Sequence, residues 1–362
     1  MGVKELSTYD MDKDYYENLL NGPRFTGDIP PWDPKPTFSF LGHRLNSPLG
    51  IPAGLLLDSK WVGLYASLGF DILVYKTVRS RRYPSHPWPN CLFVKTDMIK
   101  PRDLPSKLLA PKDWEPSSPR RATITNSFGM PSLDPIQWQE DAKRSLELLR
   151  EGQVLIVSVV GTFQGSREGL VKDFARVASM ASEVGTPIIE LNFSCPNTAE
   201  GEGTIYTDPS LAGWIAREVR RSVRDVPLFV KTGLLLGREL EAFMRAVAPW
   251  VQGIVGINSV SLPVVDEEGR PALGPGRESS GVCGWAIRQC GLSFVREATA
   301  IKEKEKYDLA ICGCGGVTEG EHVEAYLQHG AQCVFTCTGA MFNPYLALEY
   351  KGVLKPRKDP VE

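Results

Sequence analysis

Long apolar runs are missing from this chain of 362 residues. None approaches the roughly 18 to 20 apolar residues that a bilayer-spanning helix needs. The opening stretch, 1–14, is too polar for the core of a signal peptide. An excess of charge is missing as well: 41 Lys and Arg stand against 43 Asp and Glu, for a net charge of −2. That leaves no global basic field to hold a nucleic acid or an anionic membrane. The eight cysteines form no C-x-x-C pair, so the usual signature of a zinc ribbon or an iron–sulfur cluster is lacking and no metal site is expected. Most of them read as core thiols of a reducing compartment. Histidine is scarce: His43, His86, His322 and His329 are the four. No G-x-G-x-x-G follows an early strand-like run, which counts against a dinucleotide-binding fold. These absences point to a soluble, cytoplasmic protein without a nucleic-acid or membrane partner.

With 42% hydrophobic residues, a large core is affordable. Residues 1–45 read as an arm or cap. Short apolar runs follow at 48–54 and 71–76, the second ending on Lys76. From 77 to 121 the pattern breaks into a loop rich in proline and arginine, as functional covers and insertions often are. Arg79, Arg81, Arg82, Arg120 and Arg121 could attract an anion there, but a solvated loop face is the stronger reading. After 122, strand-like runs alternate with helical periodicity. Asp134 with Pro135, and Ser166, mark helix starts. Residues 262–281, rich in Gly, Pro and Glu, read as a surface hairpin, and 355–362 as a tail. A generous count gives eight strands that precede a helix or a long loop. Without a composition break, this favours a closed (β/α)8 TIM barrel over 46–354 rather than an open doubly wound sheet.

Residues 187–198, Pro-Ile-Ile-Glu-Leu-Asn-Phe-Ser-Cys-Pro-Asn-Thr, begin as a buried parallel strand and turn abruptly polar. Pro196 should stop the strand, leaving Cys195 between Asn192 and Asn197 at its carboxyl end. Taken alone, this is equally a strand end with ordinary turn formers. In a barrel, however, strand ends share one mouth. The other ends carry Ala53 and Gly54, Lys76, Asn126, Gly161, Lys231, Asn258 and Ser259, Gly313 to Gly316, and Cys337 with Thr338. Glycine-rich turns after the last two strands suit a phosphate. Lysines suit an anionic ring or carboxylate, and asparagines can read the edge of a heterocycle. If a proton is moved, Cys195 is the best-placed group, given that no histidine joins the set.

These residues resemble the dihydroorotate dehydrogenase family of FMN-containing (β/α)8 barrels. Glu190-Leu-Asn-Phe-Ser-Cys-Pro-Asn-Thr198 carries most of the resemblance. Asn126-Ser-Phe-Gly-Met-Pro131, Val230-Lys231, Asn258-Ser259 and Gly313-Cys-Gly-Gly-Val317 support it. Cysteine rather than serine at the base position resembles the soluble class 1 enzymes. The resemblance implies FMN as cofactor and dihydroorotate as substrate, with a small soluble electron acceptor such as fumarate and a homodimer. It implies Cys195 as the base that takes the C5 proton, with Lys76 beside substrate and flavin. Asn126, Gly129, Met130, Asn192, Asn197, Asn258 and Ser259, together with Lys76, would hold the substrate. Ala53, Gly54, Lys76, Asn126, Asn192, Lys231, Ser259, Gly284, Gly315, Gly316, Cys337 and Thr338 would hold the flavin and its phosphate, with Lys231 near flavin N1 and O2. The alternatives are a dihydropyrimidine dehydrogenase-like flavoenzyme acting on a neutral base, a tRNA-dihydrouridine synthase-like enzyme, and a non-catalytic FMN-binding barrel.

Overall fold

The structure, a computed structural model, describes residues 2–194 and 204–356. Eight parallel strands build its wall: β1 (Leu49–Ile51), β2 (Ile72–Val78), β3 (Val154–Val159), β4 (Ile188–Asn192), β5 (Leu228–Thr232), β6 (Gly253–Gly256), β7 (Ala310–Cys314) and β8 (Cys333–Phe335). Each pairs with the next in chain order, and β8 pairs with β1, so the sheet closes into a (β/α)8 barrel. The strands are buried on both faces, which is why they read as apolar runs without alternation. Alternate residues such as Ile72, Val154, Ile188 and Phe229 fill the barrel interior. A hairpin of Phe38–Phe40 and His43–Leu45 plugs the amino-terminal end. Phe40 meets Phe229 edge-on there, with ring centroids 5.9 Å apart.

The outer helices start where side chains satisfy their first N–H groups. Asp58 accepts from the amides of Lys60 and Trp61, and Asp134 from that of Ile136, ahead of Pro135. Ser166 accepts from Gly169 and Asp208 from Leu211. In the helix Arg167–Glu183, the residues Leu170, Phe174, Val177 and Ala181 recur at helical spacing and are all buried against the wall. No helix among the described residues is long and apolar enough to cross a membrane.

The count of eight wall strands holds, but the run at 122–125 is not one of them and stands outside the wall. As Thr123–Asn126 it belongs to a five-stranded sheet laid over the carboxyl end of the barrel, in the order Cys91–Phe93, Thr123–Asn126, Ser279–Gly284, Val260–Val265, Leu108–Leu109. Residues 77–121 are therefore not simply loop; they supply two strands of this cap. Residues 262–281 do fold back as a hairpin, but its inner positions, Leu262, Val264, Ser280 and Val282, are buried rather than at the surface. The cap joins the segment after β2 to the segment after β6, two positions on opposite sides of the ring.

Candidate active site

Between the barrel mouth and the cap lies a cavity of about 1060 Å³, its open entrance included. The barrel presents Ala53 and Gly54 after β1, Lys76 on β2, Lys231 on β5, Asn258 and Ser259 after β6, Gly315 and Gly316 after β7, and Cys337 and Thr338 after β8. The cap adds Asn126 and Gly284. Twelve of the residues singled out in the sequence thus share one wall, although they come from segments across the chain.

Lys231 is 1% exposed and donates to the Ala53 carbonyl at 3.2 Å, which fixes its ammonium at the cavity floor. Asn126 donates to Cys283 Sγ at 3.4 Å, and Asn258 to the Ser194 carbonyl at 2.5 Å. Four thiols line the cavity: Cys91, Cys283, Cys314 and Cys337. Burial raises the pKa of each, to about 12 for Cys283 and Cys314, while the Lys231 charge acts the other way on Cys283, Cys314 and Cys337. At neutral pH all four are protonated and none can accept a proton as a thiolate.

The turn after β7 is shaped for an anion. Gly315 and Gly316 have φ of 118° and 69°, a conformation that suits glycine and turns backbone toward the cavity. A Cβ on Gly316 would lie 2.6 Å from the Arg288 backbone. The Tyr326 hydroxyl donates to the Gly315 carbonyl at 2.6 Å and pins the turn. On the same cavity lining, Thr338 has a buried hydroxyl with no partner among the described residues. A phosphate oxygen would satisfy that hydroxyl, and loops after the last two strands of such barrels are frequent phosphate sites. Lys231, Thr338 and the two glycines therefore fit a flat ring carrying a phosphate tail, which is the shape of FMN.

Other expected residues stand elsewhere. Asn192 is buried off the wall: its amide donates to Thr77 Oγ1 at 3.1 Å and its oxygen accepts from the Ser194 amide at 3.1 Å. Gly129 and Met130 form a left-handed turn, with φ of 75° and 52°, beside His86 and Arg79, and are not among the cavity-lining residues. Gly161 packs against Phe174. Cys195 and Asn197 lie outside the described residues. Sequence reasoning missed Tyr9 and Tyr15 of the arm, Cys91 and Cys283 of the cap, and Phe128, all on the cavity wall. Phe128 had a signal, since it sits inside the Asn126–Pro131 motif. The two tyrosines had none, because nothing local ties the arm to the mouth.

The family model for dihydroorotate dehydrogenase matches residues 37–350. The chain belongs to the dihydroorotate dehydrogenase family. As a member it is an oxidoreductase acting on CH–CH groups. It is 36% identical over 358 residues to dihydroorotate dehydrogenase of Dictyostelium discoideum, covering 94% of this chain and 96% of that one. It is 28% identical over 221 residues to the catalytic subunit of dihydroorotate dehydrogenase B (NAD(+)) of Methanocaldococcus jannaschii, with 61% and 67% covered. The PreA subunit of the NAD-dependent dihydropyrimidine dehydrogenase of Escherichia coli is 28% identical over 221 residues, with 59% and 51% covered. Tyr9 and Tyr15 precede the stretch that the dihydroorotate dehydrogenase model matches.

Proposed function

We propose that the chain oxidises dihydroorotate to orotate with FMN held in the cavity under the cap. The observation that carries this reading is the meeting of Lys76, Lys231, Asn126, Asn258 and the Gly315–Gly316 turn on one cavity wall. Gly315, Gly316 and Thr338 would hold the phosphate, and Ala53, Gly54, Ser259, Gly284 and Cys337 would bracket the ring. FMN, when bound, supplies the acceptor for the hydride from C6. The Lys231 ammonium faces the place where negative charge would collect, and its fixed position means that no reorganisation is needed when that charge appears. Asn126 and Asn258, each anchored by a hydrogen bond, orient the pyrimidine edge. Asn197 completes the substrate contacts as the family resemblance assigns it, whereas Asn192, Gly129 and Met130 stand off the cavity wall and support it from behind. Lys76 lies beside both ligands and neutralises the carboxylate.

Cys195 takes the C5 proton. Its thiol, ordinarily near pKa 8.5, must give up its own proton before or during that transfer. The protonated state of the four described wall thiols leaves no competing thiolate for this role. Electrons then leave to a small soluble acceptor such as fumarate, and the working unit is a cytoplasmic homodimer. A second reading, oxidation of a neutral dihydropyrimidine, is favoured by the similarity to the PreA subunit. An anaerobic spectral titration separates the two. Dihydroorotate should bleach the flavin absorbance and fumarate should restore it. Bleaching by dihydrouracil alone, or a protein that takes up no FMN, would overturn the proposal.

A further inference from the structure

One charged group inside the barrel has no part in the reading above. Glu190 lies mid-strand in β4, two residues beyond Ile188, which fills the barrel interior, so its side chain points the same way. It is 1% exposed, and neither carboxylate oxygen has a hydrogen-bond partner among the described residues. Buried carboxylates ordinarily sit in a full set of donors, so an unsatisfied one calls for a reason. The neighbouring strand supplies it. In the register of β4 with β5, Glu190 pairs with Phe229 and Lys231 with Asn192, so Lys231 stands one step nearer the mouth on the adjacent strand. Lys231 is the largest influence favouring the ionised form of Glu190, followed by the Ser158 hydroxyl of β3, while burial works against it.

The other titratable groups that feel Glu190 are Cys314 on β7 and Cys333 on β8, with Cys312 against Cys333. Burial keeps Cys314 and Cys333 protonated and uncharged at neutral pH. Lys76 stands at the mouth on β2. The interior therefore sets one carboxylate behind the ammonium that forms the cavity floor.

We propose that Glu190 tunes Lys231 through its charge: its carboxylate lies behind the ammonium in the barrel interior, offsets part of its charge, and so sets how strongly the cavity floor stabilises negative charge on a bound flavin. The proposal deepens the FMN reading and rests on it. In a medium of low dielectric, one unit of charge behind Lys231 is felt across the cavity. Removing it makes the floor more positive and the flavin easier to reduce.

The test uses the full chain with FMN and the variants Glu190→Gln and Glu190→Asp. Glu190→Gln should shift the midpoint potential of bound FMN upward. In the wild type, the potential should show an additional downward step as pH rises through the ionisation of Glu190. That step should vanish in Glu190→Gln and persist in Glu190→Asp, which keeps the charge. Equal potentials and parallel pH profiles for wild type and Glu190→Gln would overturn the proposal. A second measurement needs no flavin. Infrared difference spectra of the apoprotein, wild type minus Glu190→Gln, read the carboxyl directly, and Lys231→Met should move its ionisation to higher pH. An unmoved ionisation would overturn the coupling even if FMN binds as proposed, whereas failure to take up FMN overturns only the parent reading.

Discussion

At the scale of single residues, the cavity divides its work between groups that are fixed and one that must react. Lys231 is held by the Ala53 carbonyl, and the wall thiols are kept neutral by burial. Cys195 is assigned the proton transfer, so Cys195→Ala should keep its yellow FMN but lose flavin reduction by dihydroorotate by ~10²–10⁴-fold, the usual worth of a general base. Stopped-flow absorbance under anaerobic conditions checks this, and Cys195→Ser should recover part of the rate as pH rises. Gly316 offers a test of the phosphate cradle. Its φ of 69° and the 2.6 Å approach of a Cβ to the Arg288 backbone leave no room for a side chain. Gly316→Ala should weaken FMN binding by an order of magnitude or more, read by quenching of flavin fluorescence on titration of apoprotein, with the barrel still folded by circular dichroism.

At the scale of elements, what the sequence revealed depended on how local the cause was. Barrel strands were legible because burial on both faces makes them largely apolar, and because glycine, lysine or asparagine marks the end of every one but the last, which runs into Cys337 and Thr338. Helix starts were legible because Asp134 and Ser166 cap their own next turn. Thr123–Asn126 is a short β-branched run ending on asparagine, as a wall strand could be, yet its partners are Cys91–Phe93 and Ser279–Gly284, and no local pattern distinguishes a cap strand from a wall strand. The arm shows the same limit. Tyr9 packs on Trp61 and Phe128, Tyr15 on Tyr16 and Phe128, and both tyrosines reach the cavity. Because Tyr15 is 3% exposed, Tyr15→Ala should cost ~3–5 kcal/mol, the range for deleting a buried aromatic. Denaturant melts measure the loss, and retention of FMN through gel filtration should fall in parallel, since the tyrosine is part of the cavity wall.

At the scale of the whole molecule, acid should act through His322 among other groups. Burial, then Arg288 and Arg120, lowers its pKa to about 4, against about 6.5 in an unfolded chain. The unfolded chain therefore binds this proton more readily. The contribution of His322 to stability is fully present above about pH 6.5 and is lost as pH falls toward 4. Asp71 and Glu190 have the opposite sign: burial raises their pKa, so their charging opposes the fold as pH rises past the unfolded carboxylate value. Thermal melts from neutral pH down to about 4 should show a smaller loss of Tm for His322→Gln than for the wild type. An equal loss would mean that the imidazole charges without penalty.

The cap that crosses the mouth also sets an order of assembly. Thr125 and Ser280, whose hydroxyls lie 2.5 Å apart, are separated by 155 residues of chain. At a synthesis rate of about 5–20 residues per second, Thr123–Asn126 leaves the ribosome roughly 8–30 s before its partner strand exists. During that interval the strand can pair with Cys91–Phe93 alone, and one of its edges stays open. Contacts of such long range also form late in refolding. The partner strand Ser279–Gly284 still precedes β7 and β8 in the chain, so the roof has all its strands before β8 can meet β1 and close the wall beneath it.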